Sequence, residues 1–339
     1  MRYPLRSLSL PSTILFVLAS VAGGLAQSSS TDDVHVVPRS SRVAAQTAIV
    51  LATATPGPRV SGAVIRTSAD LVMVPVTVTD EMNRPVVGLD QTNFELFENK
   101  KQQDIKNFSS EDAPVSIGII VDSSGSMHNK LDRAREAVLQ FCEASNPQDE
   151  FFLITFADEP RLATDFTSRP EEIENAMLTA QSKGRTALLD AIYMGIRKMK
   201  DARYARRALL ILSDGGDNHS RYSERDIKRV VKEADVLLYS VGTYDRYFAS
   251  QEEMLGPELL QNISDISGGQ AFTLNNLGEL PGVTSAIGAR LRHQYMLAYR
   301  PPAGKNGKWQ KINVKLRLSR KVYALLHVQA RSGYYAMER

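Results

Sequence analysis

The sequence predicts an α/β protein, a doubly wound and mostly parallel sheet, flanked by an all-β sandwich assembled from both ends of the chain. Three observations carry this. From Val115 to Arg292, short apolar runs alternate with helical patterns, the grammar of a parallel sheet covered on both faces. On either side of that stretch the pattern changes to β-branched and alternating segments without helices. Neither flank holds enough strands for a stable sandwich alone, so pairing the two sets around the central domain is the economical solution.

Residues 1–26 read as a secretory signal peptide. Arg2 and Arg6 precede the apolar run Ile14-Leu-Phe-Val-Leu-Ala-Ser-Val21, and small residues follow to Ala26. That run is too short to span a bilayer, which takes about 18 apolar residues. No later stretch looks membrane-spanning, so the mature chain is expected without a transmembrane segment. Residues 27–66, rich in Ser, Thr, Ala and Pro, are expected to form a disordered tether.

Removal of the first 26 residues lowers the basic count from 41 to 39 against 38 acids, so charge gives no argument for nucleic acid. With 43% hydrophobic and 23% charged residues, the composition excludes wholesale disorder and argues against a membrane-embedded body. The single Cys142 lies in an apolar helical stretch, reads as a buried small hydrophobe, and has no partner for an internal disulfide.

The first half of the sandwich is expected over 67–112. Its strands are 71–79, where Pro75 argues for an edge position, and 93–97, with 105–108 as the hairpin partner of the latter. The central domain is expected over 113–292, with strands at 116–121, 151–156, 208–212, 236–241 and 270–274. Helices at about 130–143, 171–181, 187–200, 224–233, 257–267 and 280–292 separate them. The second half of the sandwich, 293–339, takes strands at 294–299, 309–318 and 322–330. Ile312, Val314, Leu316 and Leu318 share one parity and mark the buried face.

Ligands of such sheets sit beyond the carboxyl ends of the strands. Asp122-Ser-Ser-Gly-Ser126 follows the apolar strand 117–121, and Asp214 ends the apolar strand 209–213. Gly184-Arg-Thr186 places a hydroxyl at a helix start. Two carboxylates with three hydroxyls form a hard-oxygen set suited to Mg²⁺, Mn²⁺ or Ca²⁺ and poorly suited to zinc or copper; the spacing does not fit an EF-hand. For Asp122 and Asp214 the plain alternative is capping or turn formation, and Thr186 at a helix start can cap as well as bind.

Taken together, these residues resemble the metal-ion-dependent adhesion site of the von Willebrand factor type A domain family, written D-x-S-x-S, then a distant Thr, then a distant Asp. Asp122, Ser124, Ser126, Thr186 and Asp214 fill the five positions in that order. The resemblance implies a Rossmann-like domain holding Mg²⁺, with the serines and threonine on the metal and the aspartates acting partly through water. It also implies an open coordination position for an Asp or Glu of a partner protein, and a last helix, here 280–292, that can move with occupancy. Arg185 and His219 are candidates for the partner-binding rim. The flanks, with Val74-Pro-Val-Thr-Val-Thr-Asp80 before the domain and Arg331-Ser-Gly-Tyr-Tyr335 behind it, are similar to bacterial secreted proteins related to the same family.

These features point to an exported, non-enzymatic adhesion or protein-binding module, in the periplasm, at the cell surface or outside the cell. A rival is metal-assisted phosphoryl hydrolysis, for which no general base or phosphate-cradling loop is present. Another is a structural or assembly subunit without metal-dependent binding. Ser124 or Ser126 paired with His128 or His219 as nucleophile and base lacks the G-x-S-x-G elbow.

Overall fold

The computed structural model describes residues 71–336, apart from 215, 244–250, 275, 303–306, 320 and 322–323. The expected signal peptide and tether lie outside the described residues. Among these residues, no helix is long and apolar enough to cross a membrane.

The central sheet has six strands: β5 (Val115–Asp122), β6 (Glu150–Phe156), β7 (Pro160–Thr167), β8 (Arg206–Ser213), β9 (Leu237–Thr243) and β10 (Gln270–Leu274). Their order is β10-β9-β8-β5-β6-β7, parallel except for the β6–β7 hairpin. Every residue of β5 is buried, which is why it reads as an unbroken apolar run. Ile117, Ile119 and Val121 face one helical layer and Ile120 the other, following the two-residue repeat of a strand.

The first layer holds α1 (Leu131–Glu143), α2 (Pro170–Leu178) and α6 (Leu280–Arg292), which contribute Phe141, Ile173 and Ile287 to one core. The second holds α3 (Leu188–Lys198), α4 (Glu224–Glu233) and α5 (Gln251–Ser267), contributing Ile192, Ile227 and Ile263 to the other. Each such side chain, fully buried, stabilises the fold by about 1.5–3 kcal/mol before entropy is subtracted. A Cβ on Gly118 of β5 would stand 2.2 Å from Phe152 and 2.5 Å from Leu209, so only glycine admits those two side chains there.

The flanking strands are β1 (Val72–Asp80), β2 (Phe94–Glu98), β3 (Lys101–Gln103), β4 (Ile105–Ser109), β11 (Tyr295–Tyr299), β12 (Trp309–Leu316), β13 (Leu326–Ala330) and β14 (Gly333–Tyr335). They form two four-stranded sheets, β13-β1-β11-β4 and β14-β12-β2-β3. Val74, Val76 and Leu297 of the first pack with Phe94, Leu96, Ile312 and Val314 of the second in one core, so the two sheets form a sandwich. Both sheets mix strands from before and after the central domain.

Three expectations need correction. Pro75 does not mark an edge strand, because β1 lies between β13 and β11. Pairing with β13 starts only at Val76, so Pro75, which has no N–H to donate, sits on the half of β1 bonded to β11 alone. Residues 105–108 are not the hairpin partner of β2. That partner is the short β3, and β4 crosses to the other sheet to pair with β11. The β2–β3 turn carries Asn99 at φ 49° and Lys100 at φ 72°, both left-handed without a glycine. Helix α5 also begins earlier than expected and runs through Pro257.

Candidate functional site

Strand order reverses between β5 and β8: the chain leaves β5 toward β6 on one side and returns through β8 on the other. That switch point is where an open α/β sheet leaves a crevice at its carboxyl edge. Asp122 is the last residue of β5, and Asp214 directly follows β8. Both are about 1% exposed or less.

The Asp122 carboxylate is held from two sides. Its Oδ1 accepts the Ser124 N–H at 2.8 Å, and its Oδ2 accepts the Ser213 hydroxyl at 2.6 Å. Burial, and then the charge of Asp214, push its pKa well above the ordinary carboxylate range; the hydrogen bonds from Ser124 and Ser213 oppose this. Asp214 Oδ2 lies 3.4 Å from the Lys130 ammonium, while Asp214 Oδ1 is buried with no hydrogen-bond partner among the described residues. The Ser124 and Ser126 hydroxyls stand 3.1 Å apart and bond to each other, not to a histidine.

Thr186 is placed by backbone lacing. Lys183 N–H donates to the Ser123 carbonyl at 2.9 Å, Gly125 N–H to the Gly184 carbonyl at 3.0 Å, and the Ser182 hydroxyl to the Ser124 carbonyl. Gly184 has φ +90°, and a Cβ there would meet the Asp158 carboxylate at 2.5 Å. On its far side, Thr186 N–H donates to Asn218 Oδ1 at 3.0 Å, and the Thr186 carbonyl accepts the Asn218 and His219 N–H groups. Thr186 itself is 5% exposed. The loops after β5, before α3 and after β8 are therefore joined to one another.

Arg185 and His219 lie together on the exposed side of this junction, with Arg185 Nη2 3.0 Å from His219 Nε2. Arg185 also reaches Asp158, and the Arg185 backbone N–H and guanidinium hold the Asp158 carboxyl below its ordinary pKa. Sequence reading missed Ser213, Asn218 and Lys130. The hydroxyl of Ser213 was hidden because it closes the continuous apolar run of β8, where a sequence does not show which neighbour a terminal serine meets.

The donor set fits a hard divalent cation. Among the described residues no three His, Cys, Asp or Glu side chains converge, so carboxylates alone do not saturate the position. What is present is one carboxylate oxygen without a partner, a second buried carboxylate beside it, and a hydroxyl pair.

The family model of the von Willebrand factor type A domain matches residues 117–216. The chain contains a von Willebrand factor type A domain. The matched span includes all five residues of the hard-oxygen set, and such domains typically serve protein–protein interaction or adhesion. Inter-alpha-trypsin inhibitor heavy chain H4 of Homo sapiens is 26% identical over 141 residues, 38% of this chain but only 15% of that protein's length. A UPF0353 protein of Mycolicibacterium paratuberculosis is 25% identical over 236 residues, 62% of this chain and 69% of that protein. Among solved structures, a von Willebrand factor type A protein from Catenulispora acidiphila superposes with a TM-score of 0.47 at 11% identity, covering 80% of this chain and 76% of that one.

Proposed function

We propose that this chain is an exported, non-enzymatic protein-binding module. Its von Willebrand factor type A domain would hold one Mg²⁺, or alternatively Mn²⁺ or Ca²⁺, on Asp122, Ser124, Ser126, Thr186 and Asp214. The observation that carries the reading is Asp214 Oδ1, a buried carboxylate oxygen without a hydrogen-bond partner among the described residues, next to a second buried carboxylate. Lys130 offsets the charge of Asp214 at its Oδ2, but a buried oxygen left without a hydrogen bond still costs about 1–3 kcal/mol, and a cation or a water bound to Oδ1 removes that cost. When bound, the ion supplies a strong positive charge with a coordination position open to an Asp or Glu of a partner protein.

The chain's own groups prepare that position. Ser213 and the Ser124 N–H orient Asp122, the lacing of 182–184 onto 123–125 fixes the threonine loop, and Lys130 balances Asp214 until the ion arrives. Because three of the five groups are neutral hydroxyls, the ion keeps most of its charge for the partner. Arg185 and His219 form the exposed rim, where an acidic partner surface meets a guanidinium.

Calorimetric titration of Mg²⁺, Mn²⁺ and Ca²⁺ into chelator-treated protein tests the reading. One-to-one binding that disappears in an Asp122→Ala, Asp214→Ala variant supports it. No binding to the folded protein, even with acetate supplied as a carboxylate, would sink it.

A further inference from the structure

The loop that carries Ser124 and Ser126 ends at Lys130, whose side chain turns toward the site instead of toward water. Its backbone is fixed at the start of α1: Lys130 N–H donates to the Met127 carbonyl at 2.8 Å, and the Lys130 carbonyl accepts Ala134 N–H at 3.0 Å. Lysine is seldom buried unless it is paired. This side chain is 16% exposed, and its ammonium stands 3.4 Å from Oδ2 of Asp214, which is 1% exposed.

Asp214 therefore faces two ways. Oδ2 takes the ammonium, while Oδ1 is buried without a hydrogen-bond partner among the described residues. A divalent ion on the same carboxylate meets a positive charge already resident there. Two cations at such close range repel, the more strongly because the carboxylate between them is shielded from water.

The pairing is built to be exchanged. Its 3.4 Å separation exceeds the roughly 2.7–2.9 Å of a strong charge-assisted hydrogen bond, so attraction of charge holds it more than bond geometry does. An ammonium is a compact charge on a flexible four-carbon stem, able to leave without disturbing the backbone. The residues just before it, His128 and Asn129, are exposed, so water lies within reach of that stem. A monovalent ion brings no more charge to Asp214 than the lysine already supplies. A divalent ion brings more, and buried Asp122 beside Asp214 gives it a second acid to act on.

We propose that Lys130 is a tethered competitor of the divalent ion, its ammonium contesting Asp214 and thereby setting the ion concentration at which the position fills. This inference rests on the cation reading given above. It also carries a sign of its own: a lysine that only held the loop in place would leave ion binding unchanged or weaker on its removal, whereas loss of a competitor strengthens it.

The test is calorimetric titration of Mg²⁺ into the chelator-treated intact chain and its Lys130→Met and Lys130→Gln variants, at about pH 8 so that protons do not replace the ammonium on the acids. Both neutral variants should bind Mg²⁺ about ten- to hundred-fold more tightly than the wild type. Lys130→Arg, which restores a charge, should bring the affinity back toward the wild-type value. Mg²⁺ should also raise the melting temperature of Lys130→Met more than that of the wild type, as tighter binding to the native state requires. Unchanged or weaker Mg²⁺ binding in neutral variants that still melt cooperatively overturns the competitor role and leaves the cation reading standing. Absence of Mg²⁺, Mn²⁺ and Ca²⁺ binding to the wild type and to both neutral variants overturns the cation reading, and this inference with it.

Discussion

Replacing Ser213 by alanine separates the electrostatics of the cation position from its ligands, because Ser213 is not one of the five candidate groups. Its hydroxyl donates to Asp122 Oδ2 at 2.6 Å from a position 1% exposed. A hydrogen bond to an ionised acceptor contributes about 1.5–3 kcal/mol and one to a neutral acceptor about 0.5–1.5 kcal/mol. The loss in Ser213→Ala should therefore be about 2 kcal/mol where Asp122 is ionised and about 1 kcal/mol where it is protonated. The difference of about 1 kcal/mol corresponds to a further rise of roughly one unit in the Asp122 pKa.

The sign follows from linkage. The folded-state pKa of Asp122 already lies above that of the unfolded chain, so the native state holds its proton more tightly, and Asp122 lowers stability as pH rises out of the ordinary carboxylate range. Ser213→Ala steepens that fall. Urea denaturation of metal-free protein at about pH 5 and about pH 8, where the two protonation states prevail, measures both losses. An equal loss at the two pH values, or a larger one at the acid value, would refute the assignment of the Ser213 bond to an ionisable Asp122.

Lys100→Gly should stabilise the chain by about 1 kcal/mol, because Asn-Gly suits a turn in which Asn99 and Lys100 both take positive φ; a lower urea midpoint would contradict this. Glu98 is buried and accepts the Tyr299 and Tyr334 hydroxyls at 2.8 and 3.1 Å. Glu98→Gln, which keeps an acceptor, should therefore cost less than Glu98→Leu, which strands both phenols at about 1–3 kcal/mol each, as ranked by thermal melts. Cys142 is 3% exposed and its thiol is pushed up to about 12 by burial, so it should resist alkylation in native buffer and react promptly in denaturant. Rapid native labelling would contradict its placement on the buried face of α1.

The strands that carry the site were legible because burial on both faces leaves a run of apolar residues in the middle of each, 117–121 in β5 and 208–212 in β8, with polar residues only toward the ends. β7 was missed: as the antiparallel edge strand, Pro160–Thr167 is only partly buried and mixes Arg161 and Asp165 with its apolar residues. Pro75 misled because a proline constrains only its own backbone position, and the neighbouring strand starts one residue later. The five candidate oxygen groups could be proposed from the sequence because their order along the chain is a pattern.

The interleaved sandwich also sets a timetable for the ribosome. Val72 pairs with Tyr299, 227 residues later in the chain. At about 5–20 residues per second, β1 waits on the order of 10 to 45 s for the strand it bonds to. Over most of that interval β5 to α6 can already condense around contacts closer in sequence, which fold sooner than distant ones. The finished central domain then holds Ser109 and Met296, the paired ends of its entry and exit strands, side by side. That converts a closure over nearly two hundred residues into a local one. In this sequence of events the insertion acts as the template on which its own host is completed.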